Sequence, residues 1–413
     1  MTERNILLSA LVIILLMFAA GCGDRENPAD PSSPESGLRP VLQYSRTFDT
    51  SALPTGTWTN YRERTLRIYT PPGYPIEYTG SGHKYPTLYL LHSLNGDELS
   101  FLKNRIDLIA DRLIAAGEIQ PMVIVMPDMY TSVGGSFYTD EWTLANPGKP
   151  GQLQPGDFET AIYSDMIRMM EADAYVPPDT IAFNIITERA SRAIGGLGTG
   201  GYGAMRIALK YPNLFSSVSI MNGFVSFAET GSRNGLISLI DSVFAENGVT
   251  KGDIDGYFNS IDTAYNKPYT NLFVLGGASF SPFDTTSTDT TTTIRRYQVN
   301  LPFDHNGDIY EPVWEKWLEQ DLTSDNSYFD ENGLFGNLDS TEVYIEYSDN
   351  DQFFANDQCQ AFIEKLQAEG VTVENVTYSG YVGNPAEHDN YLYNRIEEIL
   401  KFHSRNLSDD PGE

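Results

Sequence analysis

From about Thr65 the chain alternates short apolar, β-branched runs with longer stretches whose apolar residues recur at three- and four-residue intervals. "TLRIYTPPGY" reads as a strand closed by a Pro-Pro-Gly turn, and "YPTLYLLHS" as a buried strand. Helical spacing follows in "FLKNRIDLIADRLIAAGEI", then a strand in "PMVIVMPD" and a second amphipathic helix in "FETAIYSDMIRMMEADAYV". "RAIGGLG" is the next strand, a helix runs from about Thr199 to Lys210, and "FSSVSIMNG" returns as a strand. This alternation predicts an α/β fold with a mostly parallel central sheet and helices on both faces.

The rhythm lapses after Gly223 for roughly a hundred residues and includes the Thr-rich "GASFSPFDTTSTDTTTTIRRY", which predicts an exposed loop or a hairpin tip. It resumes with a strand in "TEVYIEYSDND", a helix through "AFIEKLQAEG", a strand in "VTVENVTYSG" and a closing helix in "NYLYNRIEEILKFH". Residues 43–406 therefore read as one domain carrying an insertion at about 226–340, with 407–413 an acidic tail.

The first residues change the picture of where the protein works. Arg4 precedes an apolar run from Ile6 to Ala20, too short for a membrane span, so 1–21 reads as a signal peptide. "AAGC" resembles a bacterial lipobox, which implies lipidation of Cys22 and anchoring to a membrane; an ordinary secretory cut near Gly21 is the alternative. Residues 22–42, rich in Pro, Ser and Asp, suit a flexible tether. Gly23 stands where some lipoproteins carry an inner-membrane retention Asp, so the expected place is the bacterial cell envelope, at the outer membrane or cell surface. The only other cysteine, Cys359, sits in an apolar helical context and reads as a buried small hydrophobe.

The chain's 413 residues carry 27 Lys plus Arg against 56 Asp plus Glu, a net charge of -29. That balance repels phosphate backbones, and no nucleic-acid partner is expected.

The chemistry centres on "RAIGGLGTGGYGAMRIALKYP". A short strand enters a glycine-dense turn and leaves as a helix, the form of a nucleophile elbow G-x-S-x-G. Gly196 and Gly200 occupy the flanking positions, and the serine position is Gly198. Together with "RIYTPPGYP", "YPTLYLLHSLNGDE", "VIVMPD", "GGSFYTDEW", "PVWEKW" and the Asp and His segments near the C-terminus, this resembles the putative esterase family of α/β-hydrolases. That family includes feruloyl and acetylxylan esterases, S-formylglutathione hydrolase and the antigen 85 mycolyltransferases. "GGSFYTDEW" looks most like the antigen 85 branch.

The resemblance implies an α/β-hydrolase fold and a triad in the order nucleophile, acid, histidine. His388, in "GNPAEHDNYLYN" before the last helix, falls at the family's catalytic histidine. Asp351, in "YIEYSDNDQFF", falls at the aspartate that orients it, with Asp349 the competitor. The implied oxyanion hole is the backbone N–H of Thr199 and of Leu94. His92 looks like the family's strand-end histidine supporting the oxyanion loop, although the glycine that follows it there is Ser93 here. His83, His305 and His403 read as surface or loop residues. The acidic cluster around Asp351 lacks the turn glycine and ligand spacing of a calcium loop, and neither metal nor cofactor is expected.

Glycine has no oxygen with which to attack a carbonyl. In a serine protease, losing the serine removes about 10⁶ in kcat and leaves roughly 10³ to 10⁴ over water. Turnover through the elbow is therefore expected to be close to absent. Glycine also adopts the strained elbow dihedrals without a Cβ penalty. The first expectation is a non-catalytic or very weak homologue that binds an acylated sugar or polysaccharide, with aromatics of "GGSFYTDEW" and "PVWEKW" as candidate sugar platforms or core. The alternatives are an ester hydrolase or acyltransferase using Thr199 or water activated by His388, and a surface interaction protein using the insertion.

Overall fold

The computed structural model describes residues 44–49, 63–74, 83–140, 142–145, 153–171, 183–283, 288–380 and 384–410. The expected signal peptide, Cys22 and the expected tether lie outside the described residues.

Among the described residues, eight strands form the central sheet: β1 (Tyr44–Asp49), β2 (Glu63–Tyr69), β3 (Thr87–Leu91), β4 (Val123–Pro127), β5 (Arg192–Leu197), β6 (Ser217–Met221), β7 (Glu342–Ser348) and β8 (Val373–Tyr378). Their spatial order is β1-β2-β4-β3-β5-β6-β7-β8. β1 and β2 are antiparallel to their neighbours, and the remaining pairs are parallel. The inner strands β3 to β6 are buried along their whole length, which accounts for the nearly continuous apolar runs of β3 and β4 and for the small residues of β5 and β6. β8 is an edge strand and half exposed.

Alternating side chains feed two cores. Leu88, Leu90, Ile124, Met126 and Ala193 pack under α1 (Ile106–Ala116) and the C-terminal helix α5 (Leu392–Asn406). Tyr89, Leu91, Val125, Ile194 and Ile220 face the other way, toward α2 (Thr199–Lys210) and α4 (Ala355–Ala368). The sheet thus carries helices on both faces, as the pattern predicts. The segment before α1 does not form one continuous helix: Ser100–Lys103 is a separate turn, interrupted at Arg105, whose φ is 61°.

The insertion is more regular than its sequence suggests. It contributes the helix α3 (Pro268–Phe280), shorter helices at Ile240–Asn247, Ile254–Ser260 and Glu311–Leu318, and a two-residue hairpin pairing Thr293–Ile294 with Val299–Asn300. Of the two expectations for the Thr-rich run, the exposed loop holds among the described residues, with Thr288 and Thr291 exposed, and the hairpin tip does not: Thr293 lies in a strand and the turn is made by Arg295 to Gln298. Phe273, Phe303 and Trp317 join the same core as β5 and β6. His403 is likewise no surface residue. It lies on the inward face of α5 between the hydroxyls of Ser217 and Ser219, 2.8 Å from each. Cys359 is buried and unpaired, and burial pushes its thiol up.

Candidate active site

The elbow forms because two glycines let backbones touch. A Cβ on Gly200 would lie 2.3 Å from the Leu91 carbonyl oxygen, and one on Gly196 would lie 2.3 Å from the Gly200 carbonyl carbon. No L side chain fits at either contact. Between them Gly198 takes φ 54° and ψ -115° at the start of α2, the strained corner on which this motif places its nucleophile.

The register of β3 against β5 sets what faces that corner. Leu91 pairs with Gly196, so the residues two beyond each strand position, Ser93 and Gly198, come together. An ideal Cβ at Gly198 lies 2.1 Å from the Ser93 Oγ and 2.9 Å from the His388 Nε2. Both of those atoms are buried, and neither has a hydrogen-bond partner among the described residues.

Ser93 is held by its backbone. The His92 Nδ1–H donates to the Ser93 carbonyl at 2.9 Å, the Met129 N–H donates to His92 Nε2 at 2.9 Å, and the Tyr138 hydroxyl donates to the His92 carbonyl at 2.9 Å. One ring nitrogen donating and the other accepting requires a neutral imidazole, and burial holds the His92 pKa below its usual value. The Gly96 N–H closes the turn onto the Ser93 carbonyl at 3.0 Å.

His388 and Asp351 meet across the other wall. The His388 Nδ1–H donates to Asp351 Oδ2 at 2.7 Å, while Asp351 Oδ1 accepts from the backbone N–H of Phe353 at 2.8 Å and of Ala355 at 3.2 Å. Asp349 is exposed and makes no such contact. Burial alone would lower the His388 pKa, but the Asp351 charge and hydrogen bond outweigh it and leave the value raised. Burial acts to raise Asp351, and the His388 charge and the backbone donors overcome it, leaving that carboxyl below its usual range.

The loop carrying His388 is fixed by residues for which the sequence offers no motif. Asn222 Nδ2 donates to the His388 carbonyl at 2.8 Å and Arg395 Nη1 to the same oxygen at 2.9 Å, with Arg395 itself paired to buried Glu346. Phe224 stacks on the imidazole with centroids 5.0 Å apart and planes 9° from parallel, and Phe353 meets it edge-on.

Ser93, Leu94 and His388 open onto a cavity of about 480 Å³ whose walls include Phe224, Tyr265 and Phe353. That volume lies in the range of small-molecule sites. Leu94 and Thr199, the two expected oxyanion donors, have backbone N–H groups free of loop and cap hydrogen bonds among the described residues. Thr199 is 1% exposed and its hydroxyl does not line the cavity. Phe137 and Tyr138 of "GGSFYTDEW" and Trp314 and Trp317 of "PVWEKW" do not line it either: they are buried in the core, because their side chains fall on inward faces of the segments that carry them, while the side chain of Trp142 lies outside the described residues.

The strand order, the glycine corner and the acid–histidine pair define an α/β-hydrolase of the esterase type. The chain belongs to the "Putative esterase" family, whose model matches residues 59–391. It is 29% identical over 163 residues to an endo-1,4-beta-xylanase/feruloyl esterase of Xylanibacter ruminicola, a match covering 39% of this chain and 19% of that protein. It is 32% identical over 167 residues to Esterase Rv1288 of Mycobacterium tuberculosis, covering 40% of this chain and 31% of that one. The chain thus spans a third or less of these curated relatives. A solved ferulic acid esterase superposes over 89% of this chain and 98% of its own, with a TM-score of 0.50 and 18% identity, a likeness of fold.

Proposed function

We propose that the cleft binds an acylated sugar or polysaccharide through its ester group, and that the elbow residue Gly198 takes no covalent part. One observation carries this reading: the Asp351–His388 pair is complete, and its outer nitrogen, His388 Nε2, lies buried and unpartnered at the cavity. A buried polar atom left unpaired costs on the order of 1–3 kcal/mol, a penalty that a ligand group or a transferred proton would relieve. The exposed Tyr265 offers a flat apolar face to an aromatic acyl group or a sugar ring, and Phe353 borders the same cavity. Relatives named as feruloyl esterases support that class of ligand. We further propose that Cys22 carries the lipid that holds the protein at the bacterial envelope, with no nucleic-acid partner.

Calorimetry against feruloylated and acetylated xylo-oligosaccharides tests the ligand. Heat of binding is expected, weakened by Phe353→Ala; silence across the panel overturns the reading. Metabolic labelling with an alkyne fatty acid, lost in Cys22→Ala, tests the anchor.

A further inference from the structure

We propose that Ser93 is the nucleophile of this site, its hydroxyl taking over from the oxyanion loop the place that an elbow serine would fill. The inference rests on the ester-binding reading above and deepens it.

Three observations converge. The Ser93 Oγ stands 2.1 Å from where a Cβ on Gly198 would be, and the His388 Nε2 stands 2.9 Å from that same point. Both atoms are buried without partners among the described residues. Ser93 and His388 line the ester-sized cavity, and the Thr199 hydroxyl does not. No hydrogen bond joins Ser93 Oγ to His388 Nε2 in the free protein, although both atoms stand beside the same point of the elbow. Such contacts are often long before substrate binds.

The two positions also exclude each other sterically. An elbow side chain would overlap the Ser93 hydroxyl, so the glycine at 198 is what leaves room for the serine at 93. The oxyanion donors keep their covalent logic. In the elbow, the donor is the N–H of the residue after the nucleophile. Leu94 bears that relation to Ser93, and it lines the same cavity.

The chemistry balances without a cofactor. The Ser93 oxygen attacks the ester carbonyl carbon, its proton passes to His388 Nε2, and the carbonyl electron pair moves onto an oxygen facing the Leu94 and Thr199 N–H groups. The tetrahedral species collapses with cleavage of the bond to the alkoxy oxygen, which leaves as an alcohol with the proton from His388. Water, deprotonated by His388, then attacks the acyl carbon, and collapse breaks the bond to the Ser93 oxygen, which takes the proton back from His388 as the carboxylic acid leaves. Asp351 holds the imidazole tautomer throughout.

The test is covalent. The full chain is treated with a fluorophosphonate probe and the modified peptide mapped by mass spectrometry, beside p-nitrophenyl acetate hydrolysis. The expected adduct is on Ser93, lost in Ser93→Ala and His388→Ala, with hydrolysis in both falling to a common background. Ser93→Cys is expected to lose the fluorophosphonate adduct and gain iodoacetamide alkylation at position 93 that His388→Ala slows. Gly198→Ser alone is expected to lower labelling of Ser93, and Ser93→Gly/Gly198→Ser to move the label to position 198. An adduct on Thr199, or hydrolysis equal in wild type and a folded Ser93→Ala, overturns the proposal. Oligosaccharide binding without any adduct overturns it while leaving the ester-binding reading intact; loss of both overturns both.

Discussion

Asp351 and His388 meet at 2.7 Å with both side chains shielded from water, and each stabilises the charged form of the other. The raised His388 pKa has two consequences of definite sign. Protonated imidazole is favoured by the fold, so that part of the stability is present below 6.5 and lost as pH rises through the higher folded value. Asp351, held below 3.8, contributes stability above 3.8 that is lost as pH falls through its folded value. Because the neutral imidazole is the base, reactivity with a fluorophosphonate should rise with pH, with its midpoint above 6.5. NMR titration of the His388 ring should give the same midpoint, and Asp351→Asn should move it down, because burial is then opposed mainly by the Asp389 charge. A midpoint at or below 6.5 in the wild type would contradict this account of the pair.

Arg395 and Glu346 form a buried ion pair, and Arg395 also holds the His388 carbonyl. Arg395→Met should cost about 3–5 kcal/mol, since it strands a carboxylate in the core. Replacing both, as Glu346→Leu/Arg395→Met, should recover most of that loss in urea unfolding while leaving the His388 loop less ordered. A single variant as stable as the wild type would show that the pair is not what fixes this loop.

The fold was legible because its determinants are local and periodic. Strands β3 and β4 announce themselves by nearly continuous apolar runs, and the elbow by glycines whose missing Cβ atoms make room for backbone. Asp351 and His388 could be located only through family resemblance, since a lone acidic turn and a lone histidine carry no spacing of their own. What Ser93 does could not be read at all from "LHSLN". Its meaning comes from the register that sets Leu91 beside Gly196, a pairing between strands far apart in sequence. His403 was missed for a related reason. It sits in phase with Ile396, Ile399 and Leu400 on α5, so the helical period places it inward, and only the tertiary structure supplies the two serine hydroxyls that satisfy it.

That histidine makes a separate prediction. Burial holds the His403 pKa down at about 3, against 6.5 when exposed. Between those values the unfolded chain binds a proton that the folded chain does not, so stability rises with pH across the window and is lost on acidification. The slope from this residue is about 1.4 kcal/mol per pH unit at its steepest. His403→Gln should unfold more readily at pH 7.5, yet lose less stability between pH 6 and pH 4 than the wild type. Parallel curves for the two proteins would assign the acid sensitivity elsewhere.

The elbow glycines should differ sharply in tolerance, and the contrast tests the geometry on which the site depends. At Gly200 a Cβ meets fixed backbone, the Leu91 and His92 carbonyl oxygens at 2.3 and 2.6 Å, so Gly200→Ala forces β3 and α2 apart. Overpacking of this kind costs about 1–3 kcal/mol or more, and here it also moves Ser93, which follows His92 directly. At Gly198 the Cβ meets side chains rather than backbone, the Ser93 hydroxyl at 2.1 Å, which can rotate away, and the His388 Nε2 at 2.9 Å, which must give slightly, and the positive φ of 54° adds strain. Strain at such a residue is about 1–3 kcal/mol. Gly198→Ala should therefore fold with a modest fall in its urea midpoint but should displace the Ser93 hydroxyl and suppress labelling. Gly200→Ala should lose both stability and labelling, by the larger margin in stability. If Gly198→Ala labels as well as the wild type, the hydroxyl does not act from the position that the structure gives it.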